Sequence, residues 1–205
     1  MEILVQDLGK KYQYEWIFSK FSYTFCAGQS YAIIGPNGSG KSTLLQILSG
    51  LLPATKGQLT YWHREKEIDP GHFFRYIGIA APYQELIEEF TLSELLHFHF
   101  KFKPIREGFN IKKIVDALYM DHDQDKRIMY FSSGMKQRLK LGLCFFTESP
   151  VMFLDEPTAN LDDKGKIWYH ENIRDILSQR LIIISSNNQE EYTFCNQTIG
   201  LPDFK

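Results

Sequence analysis

A glycine-rich segment that follows a short apolar run contains the first residues that could do chemistry. It fits the spacing G-x-x-x-x-G-K-[ST] and consists of Gly35, Pro36, Asn37, Gly38, Ser39, Gly40, Lys41, Ser42 and Thr43. Glycines permit tight turns that point backbone N–H groups at phosphate oxygens, and the following helix start adds partial positive charge. We predict that Lys41 bridges the β- and γ-phosphates of a nucleotide and that Ser42 binds Mg²⁺. The alternative is a glycine-rich turn that merely caps a helix.

A second motif, DEPTANLD, follows the apolar run VMFL. Two adjacent carboxylates at the end of a buried strand are costly unless they serve a cation or a reaction. Beside a phosphate loop, Asp155 is predicted to hold Mg²⁺ through water, and Glu156 to act as general base toward an attacking water. Without that loop, a strand end that reaches solvent before Pro157 explains the same residues.

Short apolar runs alternate with helical patterns along the chain, and this order positions both motifs. The runs EILVQ, FSYTF, SYAIIG, GQLTYW, RYIGIAA, VMFLD and LIIIS are predicted strands. A helix is predicted from Asp162 to Gln179, and the pattern from Thr91 to Phe146 is mostly helical. Strand, helix and strand in succession favour a parallel sheet.

The segment YFSSGMKQRLKLGLCFF, shortly before FLDEPTANLD, completes the pattern. The order of phosphate loop, this segment and the acidic motif resembles that of the ATP-binding-cassette (ABC) ATPases, over nearly the whole chain. The resemblance implies an α/β, P-loop NTPase (RecA-like) fold with a mostly parallel sheet core, an antiparallel β subdomain and an inserted α-helical subdomain. It implies a single ABC ATPase domain over residues 1–205, the helical subdomain at residues 85–146, and ATP and Mg²⁺ as cofactors.

Individual roles follow from the same resemblance. Tyr12, or the nearby Tyr14 or Trp16, resembles the aromatic residue that stacks on adenine. FSSGM is similar to the LSGGQ-type signature, in which a serine and a glycine contact the γ-phosphate held by the opposite subunit; Ser132 and Gly134 stand there in this sequence. The segment departs from LSGGQ at three positions. We expect these changes to be tolerated because backbone amides and one hydroxyl do most of the binding.

Two positions depart from the family pattern. Pro82 stands where the Q-loop glutamine is expected, and Gln84 is either a re-routed Mg²⁺ ligand or an ordinary loop residue. No histidine follows LIIIS, where the family has its H-switch; Ser186 or Asn187 occupies that place as a candidate catalytic residue. Either side chain can donate a hydrogen bond, but neither takes up a proton near neutral pH.

The stretch after LIIIS also has a plain structural interpretation. Ser186 with Gln189, or Asn187 with Glu190, fits a capping arrangement that starts a helix.

Composition limits the remaining classes of function. The chain has 205 residues and a formal net charge of −2, so nucleic-acid binding is not expected. Cys26, Cys144 and Cys195 form no CxxC pair and are predicted to be buried thiols in a reducing compartment. The start does not resemble a signal peptide, and no run reaches the roughly 18 apolar residues that span a bilayer. We expect a cytoplasmic protein that reaches the inner face of the cell membrane through a partner.

The leading hypothesis is the ATPase subunit of an ABC transporter, of a short exporter-like type. It would dimerise on ATP with a second ABC ATPase subunit, as a homo- or heterodimer, and dock to a transmembrane permease subunit. Docking in the family uses the region after the Q-loop, where aromatic residues either line the docking groove or pack internally: Phe90, Phe98, Phe100 and Phe102.

Two alternatives stay open. The first is a soluble non-transport ABC ATPase, although the spacing from Lys41 to Ser132 leaves no room for the long coiled coil of DNA-repair types. The single cassette also differs from the two cassettes of ribosome-associated types. The second is a slow-hydrolysing regulatory subunit, which the absent histidine favours and the retained Glu156 opposes.

Overall fold

A computed structural model describes residues 1–204 of the chain. The strands are β1 (Glu2–Tyr12), β2 (Glu15–Phe25), β3 (Ser30–Ile34), β4 (Lys56–His63), β5 (Lys66–Ile68), β6 (Ile77–Ala80), β7 (Val151–Asp155), β8 (Leu181–Ser185) and β9 (Gln197–Gly200). The α-helices are α1 (Lys41–Leu48), α2 (Leu92–Phe102), α3 (Ile111–Leu118), α4 (Ser133–Phe146) and α5 (Asp163–Arg174). Short 3₁₀ turns connect several of these elements.

The central sheet is parallel and has the strand order β6-β7-β8-β3-β9. Every residue of β7 and β8 is buried, because helices cover one face and α1 with the second sheet covers the other. Such runs of apolar residues are typical of parallel strands. The carboxyl ends of β3, β7 and β8 therefore lie at the same edge, and the loops that follow them meet there.

The second sheet is antiparallel, with the order β2-β1-β4-β5. Phe18, Phe21 and Phe25 of β2 are fully buried and pack with Tyr31 of β3 in one hydrophobic cluster. Much of the high aromatic content is therefore core. The two sheets and the helices confirm the predicted fold class.

Helices α2, α3 and α4 pack over the other face of the parallel sheet. Helix α2 begins with a capping box, in which Thr91 and Glu94 satisfy each other's backbone N–H groups. Helices α3 and α4 approach closely at Gly142, where a Cβ would lie 2.5 Å from Leu118. Among residues 1–204, no helix is both long enough and apolar enough to cross a bilayer.

The predicted helix from Asp162 to Gln179 is too long. Helix α5 ends at Arg174, and the chain then tightens into turns. These turns bring the buried guanidinium of Arg180 to the carbonyl oxygens of Cys144 (3.2 Å) and Phe145 (3.3 Å). A continuous helix would carry Arg180 away from these acceptors.

The residues after β8 do not begin an α-helix. Gln189–Glu191 form a single 3₁₀ turn, whose cap is Asn188, with its side chain accepting from the N–H of Glu190 at 3.1 Å. The hydroxyl of Ser186 instead accepts from the N–H of Asn188 at 2.9 Å. Both predicted capping pairs are therefore wrong, because the cap lies one residue beyond Asn187.

The prediction of three buried cysteines is wrong for one of them. Cys144 is buried and Cys195 is partly buried, but Cys26 is exposed. Cys26 lies in the connection between β2 and β3, and its N–H donates to the hydroxyl of Tyr31 at 3.0 Å.

Candidate functional site

The glycine-rich segment forms the turn between β3 and α1. Gly40, immediately before α1, has a φ of 101°, a left-handed conformation that suits glycine. A Cβ there would lie 2.3 Å from Cγ2 of Ile17, so glycine also lets β2 approach the loop. The ammonium of buried Lys41 donates hydrogen bonds to the carbonyl oxygens of Gly35 (2.8 Å) and Pro36 (3.2 Å). The loop thus folds around its own lysine.

Asp155 lies at the carboxyl end of β7 and is 2% exposed. Burial raises the pKa of its carboxyl group. The hydroxyls of Ser42 and Ser185 lie nearby and oppose this rise, but within residues 1–204 neither makes a hydrogen bond to Oδ1. A buried carboxylate oxygen without a partner costs free energy in the folded state. The structure therefore leaves one acceptor available beside the phosphate loop.

Glu156 and Lys41 belong to the same electrostatic site. Burial lowers the pKa of Lys41, whereas the carboxylates of Glu156 and Asp155 raise it. Glu156 is exposed and has a φ of 45°, an uncommon conformation for a residue other than glycine. Its N–H donates to the carbonyl oxygen of Ser185 at 2.9 Å, which fixes the turn after β7.

The polar groups at this edge fit Mg²⁺ and a nucleotide. Carboxylate and hydroxyl oxygens are the ligands that Mg²⁺ prefers, and Asp155 and Ser42 supply them next to the loop. The hydroxyl of Ser39, buried within the loop, lacks a hydrogen-bond partner in the described part of the chain. Unpaired buried groups of this kind are common at functional sites.

The loop after β8 distinguishes the two candidate replacements for histidine. Ser186 is 1% exposed, and its hydroxyl exchanges hydrogen bonds with the backbone of Asn188. Asn187 is exposed, and its side-chain amide donates to the side-chain oxygen of Asn37 in the phosphate loop. Of the two side chains, Asn187 is the one that reaches the phosphate loop.

The three candidate adenine-stacking residues lie at the end of the β1–β2 hairpin. The ammonium of Lys10 lies over the ring of Tyr12 (5.1 Å from its centroid), and that of Lys11 lies over the ring of Trp16 (5.5 Å). Lys10 pairs with Phe18, which lies near Gly40 together with Ile17. Tyr12 and Trp16 are 49% and 46% exposed, so both rings are available to a ligand. Tyr14 is 97% exposed in the hairpin turn.

Ser132 and Gly134 lie at the exposed start of α4. The hydroxyl of Ser132 caps the helix by accepting from the N–H of Met135 at 3.2 Å. A Cβ at Gly134 would lie 3.0 Å from the carbonyl oxygen of Asn160, in the loop after Glu156. The nearest neighbour of Gly134 is thus that loop and not the phosphate loop of the same chain.

Gln84 is exposed and lies in the segment between β6 and α2. The ammonium of Lys140 holds this segment by donating to the carbonyl oxygens of Ala81 (3.2 Å) and Pro82 (3.4 Å). The neighbouring Tyr83 has a raised pKa, first because of burial and then because of the Asp155 carboxylate. Tyr83, which the sequence did not single out, is therefore within the electrostatic reach of Asp155.

Comparisons with known proteins decide the family. A family model described as ABC transporter matches residues 18–159, which include the phosphate loop, Ser132, Gly134 and both carboxylates. The uncharacterized ABC transporter ATP-binding protein YybJ of Bacillus subtilis is 32% identical over 194 residues, covering 92% of this chain and 87% of that protein. The chain belongs to the ABC transporter ATP-binding family. Tyr12 and Asn187 lie outside the range that the family model matches.

Other ABC relatives are longer than this chain. Nod factor export ATP-binding protein I of Burkholderia lata is 27% identical over 190 residues, which cover 91% of this chain and 62% of that protein. For ABC transporter ced-7 of Caenorhabditis elegans, the identity is 28% over 167 residues, 80% of this chain and 10% of that protein. The chain thus spans less than two thirds of these two relatives.

Solved ABC structures share the fold. An ATP-binding subunit of an ABC transporter superposes with a TM-score of 0.85 at 21% identity, over 98% of this chain and 87% of that chain. The dimeric structure of MJ0796, a bacterial ABC transporter cassette, gives 0.82 at 20% identity, over 97% and 93% of the two chains. Both comparisons confirm the predicted P-loop fold.

Glu191 is a residue of this ABC site that the sequence analysis missed. It is 3% exposed, and its Oε1 accepts hydrogen bonds from the N–H (2.8 Å) and the hydroxyl of Thr158. Tyr169 donates to its carbonyl oxygen at 2.9 Å. Glu191 thereby ties the loop after β8 to the loop that follows Glu156.

Replacing Asp155 with asparagine should raise the Tm of the nucleotide-free protein, because it removes a buried charge with an unpaired oxygen. Relief of about 1–3 kcal/mol, at roughly 2–4 °C per kcal/mol for a chain of this size, predicts a rise of several degrees. In the same variant, Mg²⁺ should no longer raise the Tm of the protein beyond the rise that ATP alone gives. Thermal unfolding measures both, with the 99% exposed side chain of Asp163 changed to asparagine as control. A lower Tm, or an intact Mg²⁺ effect, contradicts the assignment.

Replacing Glu191 with alanine should leave the N–H and hydroxyl of Thr158 without partners. We expect a loss of stability of about 1–3 kcal/mol and a lower kcat with little change in the KM for ATP, because Glu191 holds a loop and does not touch nucleotide. Glu191→Gln keeps the acceptor oxygen and should retain most activity. The exposed neighbour Glu190, changed to alanine, serves as control; equal effects at both positions would argue against the tie.

Proposed function

We propose that this chain is the ATP-hydrolysing subunit that powers an ABC transporter. The observation that supports this most is the convergence of Lys41, Asp155 and Glu156 at the carboxyl edge of the sheet. Membership of the ABC transporter ATP-binding family supports it independently. The substrate of the transporter, and the direction of transport, form no part of the proposal.

Each residue at the edge has a proposed task in ATP hydrolysis. The backbone amides of the phosphate loop hold the triphosphate, and Lys41 leaves its carbonyl partners to bind phosphate oxygens. Ser42 and Asp155 hold Mg²⁺, with Gln84 as a further proposed ligand. When bound with ATP, Mg²⁺ supplies positive charge that offsets charge on the phosphate oxygens.

Glu156 is proposed as the general base. Its carboxylate accepts a proton as a water oxygen bonds to the γ-phosphorus, and the bond from that phosphorus to the bridging oxygen of ADP breaks. The products are ADP and inorganic phosphate. Tyr12 is proposed to stack on the adenine ring, because its half-exposed ring lies in the β1–β2 hairpin, whose residues Ile17 and Phe18 lie beside Gly40.

Asn187 is proposed to take the place of the H-switch histidine. Its amide can donate a hydrogen bond toward the phosphates, as it does toward Asn37. It cannot hold a proton during the reaction. This supports a second candidate: a regulatory subunit that binds ATP and hydrolyses it slowly. Ser186 is the weaker candidate for the same role, since its hydroxyl is committed to the turn.

The signature residues are proposed to act on a second ABC ATPase subunit. Ser132 and Gly134 lie at an exposed helix start, and helix N-termini bind anions. In a dimer formed on ATP, this helix start would complete the phosphate site of the partner subunit. The partner is either a second copy of this chain or a related subunit.

A transmembrane permease is the proposed membrane partner, reached from the cytoplasm at the inner face of the membrane. We propose residues 85–146 as the helical subdomain that docks to it. Of the four aromatic residues, Phe90 and Phe100 pack on the hydrophobic core. Phe98 (41% exposed) and Phe102 (72% exposed) meet edge to face at the surface. A groove lies beside α2, and Leu51 and Phe74 are on its wall.

Steady-state ATPase activity of the purified chain, beside its Glu156→Gln variant, tests the proposal. We expect the wild type to hydrolyse ATP. The variant should still bind ATP but hydrolyse it at least about a hundredfold more slowly, which is the order of the contribution of a general base. If the wild type hydrolyses ATP no faster than the variant, even with the membrane partner present, the proposed ATPase activity is contradicted.

The same assay tests the loop after β8. Asn187→His should raise the rate of ATP hydrolysis if residue 187 limits it. Ser186→Ala should destabilise the turn and should have a smaller effect on the rate of hydrolysis. Unchanged rates in both variants would exclude this loop as the limiting element.

A further inference from the structure

The turn after β6 places Tyr83 near the end of β7. Strands β6 and β7 are parallel neighbours, and Ala80, the last residue of β6, pairs with the residue that precedes Asp155. The chain therefore leaves β6 beside Asp155. It then turns, because the N–H of Gln84 donates to the carbonyl oxygen of Ala81 at 3.1 Å, and Tyr83 lies within this turn.

Lys140 of α4 holds this turn through its backbone. The ammonium of Lys140 donates to the carbonyl oxygens of Ala81 (3.2 Å) and Pro82 (3.4 Å), the two residues before Tyr83. Tyr83 is 38% exposed, so the protein covers most of its side chain and leaves the rest open to a ligand. The backbone of Tyr83 is therefore fixed at the edge of the sheet where Asp155 lies, and part of its side chain is accessible.

The surroundings of Tyr83 keep its phenol neutral. Burial raises the pKa of Tyr83, and the carboxylate of Asp155 raises it further. No hydrogen bond to another group of residues 1–204 contributes to this shift of the pKa. At neutral pH the hydroxyl therefore retains its proton and can donate a hydrogen bond to an acceptor on a ligand.

Gln84, the next residue of the turn, borders different surfaces. It lines the groove beside α2 that contains Leu51, and a second recess that contains Lys136 and Lys140. Leu51 follows the carboxyl end of α1, whereas the phosphate loop precedes the amino end of that helix. Tyr83 lines neither the groove nor the recess, so its side chain points to another side of the turn. A role for Tyr83 at the nucleotide is therefore separate from any role of Gln84.

We infer that the hydroxyl of Tyr83 donates a hydrogen bond to an oxygen of the γ-phosphate of ATP bound at the phosphate loop. The inference rests on the proposed function and adds a catalytic residue to it. Lys41, the proposed ligand of the γ-phosphate, interacts electrostatically with Asp155, so that phosphate would lie close to both Asp155 and Tyr83. A fixed neutral donor stabilises the charge on the phosphate oxygens during transfer. Mg²⁺ prefers carboxylate, carbonyl and water oxygens, so the phenol is assigned to the phosphate and not to the metal.

Removal of the hydroxyl alone tests the inference. Tyr83→Phe should lower kcat/KM for ATP hydrolysis by the purified chain about tenfold, the order expected for loss of one hydrogen bond in the transition state. Tyr76→Phe is the matched control, because Tyr76 is partly buried and immediately precedes β6, at the other end of the same strand. Its kcat/KM should equal that of the wild type. The Mg²⁺ concentration that gives the half-maximal rate should be the same in Tyr83→Phe and the wild type.

Two further readouts separate a catalytic hydroxyl from a structural one. Orthovanadate, added with ADP and Mg²⁺, mimics the γ-phosphoryl group during transfer and should raise the Tm of the wild type beyond the rise that ADP alone gives. Tyr83→Phe should lose most of this additional rise and keep the rise that ADP gives. A fluorotyrosine in place of Tyr83 has a more acidic hydroxyl, which is a stronger donor, and should hydrolyse ATP at least as fast as the wild type.

The outcomes separate the inference from the proposed function. Equal kcat/KM in Tyr83→Phe and Tyr76→Phe, with an active wild type, overturns the inference while the proposed function stands. A full vanadate effect in Tyr83→Phe, or a changed Mg²⁺ requirement, also overturns it alone. A wild type that hydrolyses ATP no faster than Glu156→Gln overturns the proposed function together with the inference. The rise in Tm with ADP verifies that Tyr83→Phe is folded.

Discussion

Two charged side chains buried at one edge of a parallel sheet are the constraint on which this structure depends. Lys41 is 6% exposed and Asp155 is 2% exposed, and both would be costly without nearby polar groups. The carbonyl oxygens of the phosphate loop satisfy Lys41, whereas Asp155 keeps an oxygen without a partner among residues 1–204. The fold accepts this cost because strands of the parallel sheet end together and leave room for a ligand there.

The loops after β7 and β8 together position the residues at this edge of the sheet. Ser186 maintains the turn, Asn187 reaches Asn37 of the phosphate loop, and Glu191 holds Thr158 just beyond Glu156. If Asn187 takes the place of the H-switch histidine, as proposed, the position keeps a hydrogen-bond donor but cannot take up a proton near neutral pH.

The parts predicted well from sequence depend on local chemistry. The phosphate loop and the DE pair have fixed spacing beside apolar strands, so both the motifs and the parallel sheet could be predicted. The strands β5 (KEI) and β9 (QTIG) were missed because each short run contains a single large apolar residue, too few for a strand pattern. The end of α5 at Arg174 was missed because the turns after it lead to a contact between Arg180 and the distant residues Cys144 and Phe145, which the local pattern does not show.

Distant contacts also explain what was missed in the site. Glu191 meets Thr158 across 33 residues, and nothing in the stretch QEEY distinguishes it from the exposed Glu190. Tyr83 was not predicted because the family pattern assigns a role to a glutamine, and Gln84 is the neighbouring residue. The direction of the Ser186 and Asn187 side chains depends on a turn whose cap, Asn188, lies two residues beyond one predicted cap and one beyond the other.

A structure of the Glu156→Gln variant with Mg²⁺ and ATP bound tests most directly whether Lys41 and Asp155 form the nucleotide site. We expect the triphosphate inside the Gly35–Thr43 loop, with Lys41 moved from the carbonyls of Gly35 and Pro36 to phosphate oxygens. We also expect Ser42 and Asp155 around the metal, and residue 156 facing the γ-phosphate. A triphosphate bound elsewhere, or Lys41 still bound to those carbonyls beside a filled loop, would contradict it.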